Sequence, residues 1–87
     1  SSAASDVYKR QQLEWRRKFL EKELAREEIT LRAIRKEVGH RFHEAVWMVG
    51  LTIQQFRVEL KWLSTLSQEI HRRSGARHPA YVGKDGG

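Results

Sequence analysis

Residues 42–70, FHEAVWMVGLTIQQFRVELKWLSTLSQEI, decide how the rest of the chain must fold. Phe42, Val46, Val49, Ile53, Phe56, Leu60, Leu63, Ser67 and Ile70 follow one another at alternating steps of four and three, the spacing of a seam along one face of a long helix. A second set, Trp47, Leu51, Val58 and Trp62, falls on the opposite face at about 100° per residue. A helix at the surface of a small domain needs one apolar stripe. Two stripes require two coverings: one from this chain, the other from a second subunit.

The covering from within the chain is read in residues 12–38, which are rich in Leu, Glu, Lys and Arg and contain neither Gly nor Pro. Leu13, Leu20 and Ile34 share one heptad position, interrupted by Glu27, and Leu24, Leu31 and Val38 share the neighbouring one, preceded by Arg17. Trp15, Phe19 and Ile29 lie off this seam. Gly39 suits a helix C-terminus, with Arg35 and Lys36 in the last turn where cations complement the dipole. Two features resist a break there. No Ser, Thr, Asp or Asn follows to cap a second helix, and the heptad phase slips by one residue, as a skip in one continuous helix would also produce. The two-helix reading is preferred because an uninterrupted helix cannot cover its own seam. The expected fold is all-α: antiparallel helices over about 12–38 and 41–73 form a hairpin that dimerises, and a disordered tail follows from 74 to 87, with Pro79 and four glycines.

The chain is one small domain of 87 residues, for which a lone hairpin buries little surface. Cysteine is absent, which removes disulfides and thiolate metal sites as sources of stability. The longest apolar run, 45–51, falls far short of a bilayer span, and no signal peptide is recognisable, so a cytoplasmic location with no membrane partner is expected. The net charge of +6 suggests nucleic acid, yet acidic and basic residues are interleaved, with Glu14–Lys18, Glu28–Arg32 and Glu37–Arg41 at the i, i+4 spacing of exposed helical pairs. The basic excess sits in short clusters, Arg16-Arg17-Lys18, Arg35-Lys36 with Arg41, and Arg72-Arg73 with Arg77, read as solvated or helix-capping groups.

Residues 1–11 match, codon for codon, the translation of a transposase-type sequencing adapter. They are expected to be an artefact of a shotgun, metagenomic assembly, with native sequence starting near Gln12.

Catalytic chemistry finds no footing. No Ser-His-Asp order, glycine-rich phosphate loop or paired carboxylate can be assembled, so no enzyme, cofactor or catalytic residue is assigned. His40, His43 and Glu44 share a helical face without the further ligands a metal requires, and no metal is assigned to them. Trp15, Trp47 and Trp62 are the candidates for contact with a small planar ligand, weighed against plain packing.

The stretch Gly50 to Leu63, with Gly50 early and Glu59-Leu60-Lys61-Trp62-Leu63 late, resembles the last helix of PadR-family transcriptional regulators. Leu20, Glu23, Leu24 and Leu31 are similarly spaced to residues of that family's preceding helix, and the two together cover most of residues 12–72. The resemblance implies the dimerisation helices of a bacterial regulator that contribute to an effector cavity, with DNA read only by a missing N-terminal winged helix. By the helical spacing, Trp47, Leu51, Val58 and Trp62 are expected to form the homodimer interface, and Phe42, Val46, Val49, Ile53, Phe56, Leu60, Leu63 and Ile70 the intramolecular seam. The alternative is a coiled-coil structural or adaptor fragment with no regulatory ligand.

Overall fold

A computed structural model describes residues 2–76, with side-chain surroundings from Ala4 to Arg73. Helix α1 runs Ser2–Val38 and helix α2 runs Glu44–Ala76, packed against each other as a helical hairpin. At 1.5 Å per residue each helix is about 50 Å long, and the molecule is a rod measuring 63 × 22 × 13 Å. Its buried apolar centre is Leu20 from α1 with Val46, Ile53 and Leu63 from α2. Leu13, Leu24, Leu31, Ile34 and Val38 are half-buried along α1, as are Val49, Phe56, Leu60 and Ile70 along α2. The two seams therefore cover each other along the described length.

The connection is five residues, 39–43. Gly39 takes φ 82, and its N–H donates to the Arg35 carbonyl at 2.8 Å, which closes α1 with the left-handed cap that glycine adopts without a Cβ clash. The start of α2 is capped by a residue outside the usual set. His43 accepts the first intrahelical bond, from the Trp47 N–H, on its carbonyl and the Ala45 N–H on its ring Nδ1, both at 3.1 Å, so the ring satisfies one of the donors a helix start leaves open. The acceptor role places the ring proton on Nε2. His40 repeats the device one step earlier, its Nδ1 accepting the Phe42 N–H at 3.1 Å.

This turn corrects the seam at its first member. Phe42 was assigned to the intramolecular seam, but it lies in the connection, not in a helix, and is 71% exposed. The four-three spacing runs through Phe42 only in sequence, because the His43 cap starts the helix at Glu44 instead of residue 41. At the far end α2 continues to Ala76, three residues beyond the expected stop at 73, so Gly75 is within the helix and the first three residues of the expected tail are helical. The rest of that tail, 77–87, lies outside the described residues.

Helix α1 begins at Ser2 instead of Gln12. The intervening Ala, Lys, Arg and Gln residues favour helix whatever their origin. Asp6 is buried there, while Val7 and Tyr8 are exposed.

Gly50 sits inside α2 with nothing within 4 Å of the position a Cβ would occupy. No close helix crossing within the chain therefore requires glycine. Gly50→Ala is expected to raise stability by about 0.5–1 kcal/mol, since a helix interior favours alanine and the added methyl meets open space. Urea unfolding followed by circular dichroism measures it; a loss of stability would show that another backbone approaches at this point.

Candidate association surface

Turning the seam inward leaves Trp47, Leu51, Val58 and Trp62 on the outer face of α2, each between 50% and 69% exposed. Met48 extends the patch at its turn end. The Trp47 indole N–H donates to the Arg41 carbonyl at 3.0 Å, which satisfies its one polar atom inside the chain and leaves the ring free to pack. Around Val58 and Trp62 lies a shallow groove of about 520 Å³, lined by Gln54, Gln55, Val58, Glu59 and Trp62. A patch of this kind favours burial against a shaped apolar partner.

The candidate ligand-contacting aromatics are not gathered into a pocket. Trp15 is 67% exposed on the outer face of α1, with Phe19 and Ile29. Trp47 and Trp62 share a face but are separated by about four helical turns, roughly 22 Å. A second open hollow, about 540 Å³, lies at the turn between Arg35, Gly39, His40, Arg41 and Phe42. Among the described residues no three His, Cys, Asp or Glu are placed to hold a metal ion. Among them, too, no helix is long and apolar enough to cross a membrane.

The charged residues clamp the hairpin from its two flanks. Arg16 donates through Nε to Glu59 Oε2 at 2.6 Å and through a terminal nitrogen to Oε1 at 3.0 Å, a forked pair across the helices. Arg57 donates to Glu28 at 2.9 Å on the other flank. Arg17, which interrupts the α1 seam, is held between Glu14 and Glu21 of its own helix. The expected i, i+4 pairs Glu14–Lys18, Glu28–Arg32 and Glu37–Arg41 are not among the ion pairs of the described residues. Glu14 is taken by Arg17 one position nearer, whose guanidinium fork holds both carboxylate oxygens where the Lys18 ammonium would hold one, and Glu28 reaches across the seam to Arg57. The first basic cluster is thus largely neutralised. Arg35, Lys36 and Arg41 at the turn form no ion pair with a described residue.

These contacts leave a pH signature. The hydrogen bonds from Arg16 hold the Glu59 carboxyl below its ordinary range, and the same contact raises Arg16. The bonds from Arg17 likewise lower Glu14. A carboxylate whose folded value is lowered contributes stability above its unfolded value, near 4.3 for glutamate, and loses it as the pH falls through the folded value. Glu59→Gln is therefore expected to be less stable than wild type at neutral pH and to converge with it in acid, once the pH has fallen through the lowered value of the folded carboxyl. The effect is small and weakened by salt, because the pair is solvent-exposed. A gap between the two unfolding curves that persists unchanged in acid would exclude the ion pair as its cause.

Comparison with family profiles, with curated proteins and with solved structures finds no match for this chain.

Proposed function

We propose that the hairpin is the dimerisation element of a PadR-like transcriptional regulator, joined in the intact protein to a winged helix that reads DNA. The observation that carries this reading is the two-sided α2: one face is covered by α1, and the other presents two tryptophans, a leucine and a valine to solvent. A second copy supplies the missing cover. The run Glu59-Leu60-Lys61-Trp62-Leu63 supports the regulator over other dimers by its resemblance to that family. The hairpin itself is not expected to read a base sequence: Arg16, Arg17 and Arg57 are engaged with carboxylates, and neither described helix resembles a reading element. A small planar effector fits this reading only as a ligand of the assembled dimer, because one chain gathers no aromatic pocket.

The outer face of α1, with Trp15, Phe19 and Ile29 exposed, favours a second reading, an adaptor that binds through both faces. The gene decides between them. Sequence upstream of Gln12, recovered from an overlapping assembly, is expected to encode a helix-turn-helix followed by a strand hairpin; continuation of the heptads instead would establish the adaptor and end the regulator reading.

A further inference from the structure

The exposed stripe of α2 reads the same from either end. Trp47, Leu51, Gln54, Gln55, Val58 and Trp62 are separated by steps of four, three, one, three and four, with an aromatic at each end, an aliphatic next to it and two amides in the middle. All six residues are on the face turned away from α1 or at its margins, and all are exposed. We propose that α2 pairs antiparallel with α2 of a second copy, about a two-fold axis passing between Gln54 and Gln55. This rests on the dimer reading above and specifies its register.

In that register Leu51 comes level with the partner's Val58, and Trp47 comes level with the partner's Trp62. The groove beside Val58 and Trp62 then receives Leu51 and Trp47 of the opposite chain, and the two-fold repeats the insertion. The four glutamine amides meet at the axis. Each offers both donors and an acceptor, so like meets like without an unsatisfied group. Sliding the helices by one heptad would set amides against tryptophan and strand them, which is how a few central polar residues select one register of an otherwise apolar seam. Parallel pairing would also match like with like, but it would set Glu44, Glu59 and Lys61 each beside its own copy. Antiparallel pairing moves Lys61 to the height of the partner's Met48 and separates every one of these like charges. The exposed surface of two tryptophans, a leucine and a valine from each copy brings the buried area to the order of 1,000 Å², the lower bound for a specific interface.

The chain contains no cysteine, so a single introduced thiol reports on the pairing. In the proposed register the Cα atoms of the two Gln54 residues lie roughly 6–7 Å apart for helix axes about 9–10 Å apart, within disulfide reach. Those of the two Thr65 residues lie about 30 Å apart. Gln54→Cys is expected to oxidise to a covalent dimer in most of the protein at concentrations where the wild type is dimeric. Thr65→Cys, on the same stripe, is expected to remain uncrosslinked, as is Lys22→Cys on the outer face of α1. Each reduced variant is first matched to wild-type helicity, so that a fold defect is not read as a geometry. Crosslinking of Thr65→Cys as readily as Gln54→Cys would establish parallel pairing and overturn the register. Crosslinking through Lys22→Cys alone would move the interface to α1 and overturn it too. A wild-type dimer in sedimentation equilibrium combined with no Gln54→Cys crosslink overturns the register and leaves dimerisation standing, whereas a wild-type monomer overturns both.

Discussion

Leu20→Ala is expected to destabilise the hairpin by about 2–5 kcal/mol, the cost of truncating a fully buried leucine. Leu20 is the side chain with 0% exposure, midway along α1 and flanked by Arg17 and Leu24 on the same seam. Truncation loses the transfer energy of the removed carbons and leaves a void that the surrounding packing closes only in part. Small domains have only about 5–15 kcal/mol in hand, so the variant should show a visibly lower unfolding midpoint. Thermal and urea unfolding by circular dichroism measures the change. A loss below 1 kcal/mol would mean that the helices do not meet at Leu20. Since association adds to apparent stability, wild type and variant must be compared at several protein concentrations.

Trp62→Ala acts on the other face, and its expected effect is on association. Truncation of a tryptophan buried at an interface commonly costs 2 kcal/mol or more, which is roughly a thirtyfold weaker dimer. Helicity per chain should change little, because Trp62 is more than half exposed in the single hairpin. Trp15→Ala is the matched control: Trp15 is as exposed, and it lies on the outer face of α1. Sedimentation equilibrium of the two variants beside wild type separates them. Equal weakening by both would show generic stickiness of tryptophan, and an unchanged dissociation constant for Trp62→Ala would remove the α2 stripe from the interface.

The hairpin and most of its seam were legible because burial leaves a period. Val46, Val49, Ile53, Phe56, Leu60, Leu63 and Ile70 recur at helical spacing, and all seven are buried or half-buried against α1. Phe42 kept the same spacing and still failed, since periodicity carries no mark of where a helix begins. That mark was His43, and it went unread because histidine caps through a ring nitrogen where the common cap residues use an oxygen. The ion pairs between helices were out of reach for a related reason. Arg16 and Glu59 are 43 residues apart, and only the register of the folded hairpin brings them together. The two-faced character of α2 was legible from the tryptophans, and so was the place of Trp15 off the α1 seam, which keeps it apart from Trp47 and Trp62.

The five-residue connection also orders events in time. Contacts close to a turn bring together residues a short distance apart along the chain, and the entropy of closing a loop rises with its length. Once Gly39 and His43 have set the reversal, the Glu28–Arg57 clamp joins residues 29 apart and the Arg16–Glu59 clamp joins residues 43 apart, so the hairpin zips outward from the turn. Stabilising the His43 cap, by His43→Asn for instance, then speeds folding, whereas loosening the far clamp chiefly speeds unfolding. The rod is thus expected to fray from its open end and to nucleate at its closed one.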